Sequence, residues 1–117
     1  MNLSSNQPKV IVICGSTGIG KTSTAIRLAR KYQGEIIGAD SMQIYRLMDI
    51  GTAKPTPEEQ AQVPHHLIDI IMPDTEFDAV QYAKRARQSI ESIHGRGRLP
   101  FVVGGTGFYI KALLHGL

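Results

Sequence analysis

Gly15, Ser16, Thr17, Gly18, Ile19, Gly20, Lys21 and Thr22 form an unbroken run in which a glycine, four spacer residues and Gly-Lys-Thr follow an apolar stretch. That spacing is the phosphate cradle of a P-loop. Its glycines let the backbone curl so that several N–H groups face one anion. The helix that should begin near Lys21 contributes the positive end of its dipole, Lys21 a mobile cation, and Thr22 a hydroxyl suited to Mg2+. Such a site calls for a ligand that contains pyrophosphate. Asp40, Ser41, Met42 and Gln43 form a second reactive group, and Gly104-Gly105-Thr106 a third. Asp40 has three readings: a holder of Mg2+, directly or through water; a general base for an incoming nucleophile; or the cap of a following helix. Ser41 and Gln43 can hydrogen-bond the edge of a base or a hydroxylated substrate. Gly104-Gly105 would let a ligand approach the backbone, with the Thr106 hydroxyl beside it.

These groups need elements that carry them to one place. Lys9 to Cys14 is apolar on both faces, which predicts a central, buried strand of a parallel sheet with an inert Cys14 thiol at its end. From Lys21 to Tyr32, Ala25, Ile26, Ala29 and Tyr32 recur at helical spacing, with Arg27, Arg30 and Lys31 outside the stripe and Gly34 as the stop. Glu35–Ala39 is a second strand. Gly51–Pro57 is a loop by composition, and Thr52 or Thr56 should cap a turn beginning at Pro57. Leu67–Ile71 is predicted as a third strand. Thr75 and Asp78 resemble a capping pair ahead of a long helix, 76–94, whose inward stripe is Ala79, Ala83, Ala86, Ile90 and Ile93; Gly95 and Gly97 close it. Leu99–Val103 is a fourth strand, followed by a helix from Phe108 with Ile110, Leu113 and Leu114 apolar.

Strands alternating with helices predict an α/β fold, a parallel sheet with right-handed crossovers flanked by helices, P-loop NTPase-like in its first unit. Ligands of such sheets sit beyond the carboxyl ends of the strands, which would gather the P-loop, Asp40 and Thr106 at one edge. The chain stops just after a helix where another strand is usual, so residues 1–117 read as an incomplete, truncated P-loop core from the N-terminal part of a longer protein.

The 117 residues are 42 % hydrophobic and 20 % charged, with a net charge of +3 that does not by itself imply nucleic-acid binding. One cysteine excludes an internal disulfide and fits a reducing compartment. No run is apolar enough to span a bilayer, and the opening from Asn2 to Lys9 lacks the core of a signal peptide; a cytoplasmic protein with no membrane partner is expected. Lys84, Arg85, Arg87, Arg96 and Arg98 form a basic cluster that is either a solvated helix face or a contact for RNA phosphates. His65 and His66, being adjacent in an extended chain, point to opposite faces and read as structural or loop-positioning residues rather than a metal pair. His94 and His115 read as surface residues near helix ends.

Gly-Ser-Thr-Gly-Ile-Gly-Lys-Thr, the block from Asp40 to Pro55 (Asp-Ser-Met-Gln-Ile-Tyr-Arg-Leu-Met-Asp-Ile-Gly-Thr-Ala-Lys-Pro), His-His-Leu-Ile-Asp-Ile at 65–70 and Val-Gly-Gly-Thr-Gly-Phe-Tyr at 103–109 occur in this order. Together they resemble the tRNA dimethylallyltransferase (tRNA isopentenyltransferase) family, from about Lys9 to Gly116. Ser16 departs from the proline usual in the bacterial enzymes, a change in loop stiffness rather than chemistry. Family members are also much longer, with a helical tRNA-gripping insertion and C-terminal elements.

The resemblance implies transfer of a dimethylallyl group from dimethylallyl pyrophosphate to N6 of the adenine 3′-adjacent to the tRNA anticodon, with Mg2+ as cofactor. It assigns the pyrophosphate, or an ATP-like nucleotide, to Gly15, Ser16, Thr17, Gly18, Ile19, Gly20, Lys21 and Thr22, with Mg2+ at Thr22. It makes Asp40, Thr106 and Lys21 catalytic and gives the tRNA anticodon loop to Asp40, Ser41, Met42, Gln43 and Thr106. It also implies a monomeric full-length enzyme, leaves the oligomeric state of the fragment open, and leaves the fragment inactive or weak. The competing enzymatic reading is a small-molecule P-loop kinase of the shikimate or gluconate kinase type, in which Asp40 would serve a sugar-like hydroxyl. A nucleotide-binding regulatory module is the non-enzymatic one.

Overall fold

The computed structural model describes residues 9–15, 21–47 and 54–115. Strands and helices alternate as the apolar patterning dictates: β1 (Ile11–Cys14), α1 (Lys21–Lys31), β2 (Gly34–Gly38), α2 (Pro57–Gln60), β3 (His65–His66), α3 (Ala79–Gly95), β4 (Leu99–Gly104) and α4 (Gly107–His115). Every strand pair is parallel, in the order β1-β4-β2-β3. Side chains alternate across the sheet, so each face has its own core. Ala25, Ile26 and Ala29 of α1 meet Ile36, Phe101 and Val103 on one face. On the other, Tyr82, Ala86, Ile90 and Ile93 of α3 and Tyr109 and Leu113 of α4 meet Ile37 and Val102.

β1 lies at the edge of this sheet rather than at its centre: β4 is its partner, Ile11 remains 41 % exposed, and Cys14 is exposed instead of buried. Apolarity on both faces indicates a strand suited to burial, but the order of strands depends on crossovers between distant segments. The end of α1 also departs from expectation. Tyr32 falls beyond the helix and is 54 % exposed, with Lys31 Nζ 5.4 Å from its ring centroid. Gln33, at φ 55, turns the chain, while Gly34 already belongs to β2. A Cβ on Gly34 would stand 2.4 Å from the Phe101 ring, so this glycine serves packing rather than helix termination.

β3 comprises His65 and His66, not Leu67–Ile71. Leu67 (φ 64) and Asp69 (φ 60) adopt left-handed backbone that ends the strand, and Ile71 makes an isolated parallel bridge to Tyr45 outside the sheet. Thr56 and Glu59 form the reciprocal capping box of α2, with Pro57 in the first turn. Thr52 lies outside the described residues. In α3 the cap is Asp78 itself, paired with Gln81, so the helix starts at Ala79 and Thr75 takes no part. Gly97, at φ 74, makes the turn after it. In α4 the buried residues are Tyr109, Ala112 and Leu113, whereas Leu114 is 48 % exposed.

The basic cluster is divided by the fold. Arg87 donates to the carbonyls of Ala112 and Leu113 at the end of α4. Arg96, Arg98 and His66 surround the buried carboxylate of Glu35. Burial alone would push the Glu35 carboxyl up, but hydrogen bonds and charge from Arg96 and His66 outweigh it and hold the group below its ordinary value. Lys84 and Arg85 stay on the exposed face of α3, with Arg85 5.8 Å from the Phe77 ring centroid.

Candidate active site

Gly15, at φ 149, ends β1, and α1 opens with Lys21 and Thr22. Ser16, Thr17, Gly18, Ile19 and Gly20, which complete the expected phosphate cradle, lie outside the described residues. Lys21 Nζ donates to the Gly15 carbonyl at 2.9 Å, which ties the start of α1 to the end of β1. A Cβ on Gly105 would lie 3.0 Å from that same carbonyl oxygen and 3.6 Å from Lys21 Nζ. The turn after β4 therefore lies against Gly15 at the end of β1 and Lys21 at the start of α1, as the strand-end rule requires.

The end of β2 is fastened to the same turn. Ala39 N–H donates to the Val103 carbonyl at 2.8 Å, Thr106 N–H to the Ala39 carbonyl at 3.1 Å, and Ser41 N–H to the Thr106 hydroxyl at 2.8 Å. Gly104 permits this approach, since a Cβ there would be 2.2 Å from the Ala39 carbonyl oxygen. On the other face Tyr82 donates its hydroxyl to the Gly38 carbonyl at 2.8 Å and stacks on Tyr109 at 4.4 Å, anchoring α3 and α4 beneath the site. The Tyr109 hydroxyl is pushed up to about 12 by burial first, and then by Tyr45, Asp40 and Asp78.

Asp40 is 9 % exposed. Its Oδ1 accepts from the N–H groups of Met42 at 2.9 Å and Gln43 at 3.2 Å. The capping role is thus realised, although the turn it caps is not continued into a helix. Both bonds use Oδ1, so Oδ2 is the oxygen left to meet a ligand. Lys21, Thr22, Asp40, Gln43, Pro55 and His65 line one small cavity of ≈ 20 Å³. Met42 is 44 % exposed, and Thr106 is half-buried at the rim of the same edge. The structure therefore brings Lys21, Thr22, Asp40 and Gln43 to one cavity, with Ser41 and Thr106 bonded beside it.

Sequence reasoning missed two contributors. Lys54 donates to the Tyr45 carbonyl at 2.7 Å and pairs with Asp69, whose N–H donates to the Gln43 carbonyl at 3.1 Å; this braces the Asp40 turn. Lys54 and Pro55 belong to the block that begins at Asp40, but nothing local in their types announces the brace. The other is His65. Its neighbour His66 bonds Glu35 on the opposite face, as an extended chain requires, while His65 faces the cavity. His65 Nδ1 donates to the Val63 carbonyl at 2.9 Å, and its Nε2 is buried with no partner. Burial lowers the His65 pKa, with the bond to Val63 opposing.

Among the described residues no group of three or more His, Cys, Asp or Glu is placed to hold a metal. Among the described residues no helix is long and apolar enough to cross a membrane.

Residues 43–117 match the family model described as IPP transferase. The chain is 60 % identical over 111 residues to the tRNA dimethylallyltransferase of Desulfosudis oleivorans, covering 95 % of this chain and 35 % of that protein. It superimposes on the full-length tRNA isopentenylpyrophosphate transferase of Bacillus halodurans with a TM-score of 0.91 and 51 % identity, covering 95 % of this chain and 37 % of that one. A eukaryotic dimethylallyltransferase acting on tRNA is matched with a TM-score of 0.89 and 40 % identity, over 95 % of this chain and 28 % of that one. The chain spans about a third of the length of the relatives it matches.

Proposed function

This chain belongs to the IPP transferase family, and we propose that it forms the P-loop core of an enzyme that moves a dimethylallyl group from its pyrophosphate to N6 of an adenine in tRNA. The observation that carries this reading is the shared edge on which Lys21, Asp40 and Thr106 meet. Family membership does not favour the small-molecule kinase.

In the proposed reaction the allylic C–O bond breaks, a C–N6 bond forms, and the pair of electrons from the broken bond leaves on pyrophosphate. Lys21 and the N–H groups of the Gly15 to Thr22 loop oppose the growing charge on that leaving group. Mg2+ would add further neutralisation, held at the Thr22 hydroxyl. The adenine amine is a poor nucleophile because its lone pair is delocalised into the ring. Asp40 Oδ2 takes the proton that N6 loses on alkylation. Ser41, Met42, Gln43 and Thr106 then border the adenine, which must leave the anticodon-loop stack to reach this edge of the sheet. The Gly15 to Thr22 loop thus holds a departing group, with carbon rather than phosphorus under attack.

The test is a chimera in which this chain replaces the corresponding third of the Desulfosudis oleivorans relative. Incubated with labelled dimethylallyl pyrophosphate and unmodified tRNA, it should place label on adenine N6. Phosphorylation of shikimate or gluconate from ATP, with no label on tRNA, would overturn the proposal.

A further inference from the structure

We propose that Lys54 is a positioning residue for the adenine: its ammonium fixes the turn from Asp40 to Tyr45 and so sets where the Asp40 carboxylate meets the base. The inference rests on the transferase reading of the site.

The turn does not hold itself. It leaves the end of β2 without becoming a helix. Its internal backbone bonds, Ile44 N–H to the Asp40 carbonyl at 3.2 Å and Tyr45 N–H to the Met42 carbonyl at 3.3 Å, are long. Its shape comes from the segment after β3. Asp69 N–H donates to the Gln43 carbonyl at 3.1 Å, and the N–H groups of Ile70 and Ile71 donate to the Ile44 carbonyl at 2.9 and 3.1 Å. Lys54 takes the next carbonyl in the series: its Nζ donates to Tyr45 at 2.7 Å and pairs with the Asp69 carboxylate.

From Lys54 to the proposed base the path is continuous. Lys54 holds the Asp69 carboxylate, Asp69 N–H holds the Gln43 carbonyl, and Gln43 N–H donates to Asp40 Oδ1 at 3.2 Å. A shift of Gln43 therefore turns the carboxylate and re-aims Oδ2. Asp69 needs such support, because at φ 60 it stands in left-handed backbone. Lys54 is a stiff post, since the following Pro55 restricts its backbone to extended conformations. Pro55 in turn lines the cavity beside Asp40 and Gln43. The Lys54 side chain is 8 % exposed and that of Asp69 45 %. An apolar side chain of the same length would fill that space without stripping an ammonium of its water. What the ammonium adds is a fixed link between a carbonyl of the turn and a carboxylate of the segment that shapes it.

The chimera described above tests this, through kcat for adenine alkylation and KM for dimethylallyl pyrophosphate. Lys54→Met keeps the buried stem and removes the charge. It should lower kcat about 10²-fold, the loss that a displacement of about 1 Å produces. KM for dimethylallyl pyrophosphate should stay at the wild-type value, because the contact of Lys21 with Gly15 lies off the path. Asp69→Asn keeps an oxygen for Lys54 and tolerates left-handed backbone. It should lower kcat several-fold at the same KM, and it carries the test if Lys54→Met does not fold. In the 117-residue chain, hydrogen exchange of the Met42 and Gln43 amides should quicken in both variants, while the amides of Val102 and Val103 in β4 exchange as in wild type. A lysine that only stabilises the fold would quicken all four amides and raise KM as kcat falls. That result, or a wild-type kcat in both variants, would overturn the proposal and leave the transferase reading standing. A wild-type chimera that places no label on tRNA would overturn both.

Discussion

The Thr106 hydroxyl accepts the Ser41 N–H at 2.8 Å, a bond between residues 65 positions apart that ties the turn after β4 to the turn carrying Asp40. It reinforces the backbone bond from the Thr106 N–H to the Ala39 carbonyl at 3.1 Å, made just where the strands end. Thr106→Val keeps the shape and removes the acceptor, leaving the Ser41 N–H without its partner. It should cost about 1–3 kcal/mol in urea denaturation, whereas Thr106→Ser should stay within about 0.5 kcal/mol of wild type. A larger loss for Ser than for Val would show that the methyl group, not the hydroxyl, is what matters.

Gly104 and Gly95 should respond oppositely to the same change. A Cβ on Gly104 meets the Ala39 carbonyl carbon at 2.3 Å and its oxygen at 2.2 Å, and main chain cannot move aside without breaking the sheet. Gly104→Ala should cost about 3 kcal/mol or more. A Cβ on Gly95 meets nothing within 4 Å, and the residue is helical. Gly95→Ala should raise stability by up to about 1 kcal/mol. Thermal melts of the two variants beside wild type decide the matter.

Glu35 should give the fold an acid-labile component. Its carboxyl is held below the ordinary value of 4.5 by Arg96 and His66 despite burial. The unfolded chain therefore takes up this proton at higher pH than the folded chain does. The stabilisation is fully present above 4.5 and is lost as pH falls from there through the lowered folded value. Glu35→Gln should flatten that part of the stability–pH curve and should lower stability at neutral pH, where Arg96 and Arg98 lose their counter-charge. A variant curve parallel to wild type between pH 5 and about 3 would refute the assignment.

Much of this molecule is legible in its sequence, and the boundary of legibility is physical. Ala25, Ile26 and Ala29 announce the buried face of α1 because helical period is local, as do Ala83, Ala86, Ile90 and Ile93 for α3. Thr56 with Glu59 and Pro57 spells out a capping box within one turn. The position of β1 at the edge is not legible, since pairing with Phe101 to Gly104 joins segments separated by the whole intervening chain. The run Leu67–Ile71 looks like a strand, yet Leu67 and Asp69 take left-handed backbone to bring Ile70 and Ile71 onto the Ile44 carbonyl. At the site, Lys21, Asp40 and Thr106 were visible through type and strand-end position. The orphaned Nε2 of His65 was not, because burial without a partner is a property of three elements together. The basic cluster was legible only in part: Lys84 and Arg85 lie on the exposed face of α3, whereas Arg87, Arg96 and Arg98 bond to α4 and to Glu35, partners no local pattern reveals.

Asp40 caps a turn and is proposed as the base, two roles that substitution can separate. As a cap it needs only an oxygen at Oδ1 for the Met42 and Gln43 N–H groups. As the proposed base it needs a carboxylate whose Oδ2 can take a proton. Asparagine caps about as well as aspartate, so Asp40→Asn should keep stability within about 0.5 kcal/mol, while Asp40→Ala should lose about 1 kcal/mol. An amide cannot accept the amine proton, so in the chimeric enzyme both variants should lose adenine alkylation by about 10²–10⁴-fold. Pyrophosphate binding should survive Asp40→Asn, because Lys21 and the loop from Gly15 do not depend on it. Stability is read from urea denaturation, and turnover from label on tRNA. An Asn variant that folds and binds pyrophosphate yet alkylates at the wild-type rate would remove Asp40 from the chemistry and leave it as the cap alone.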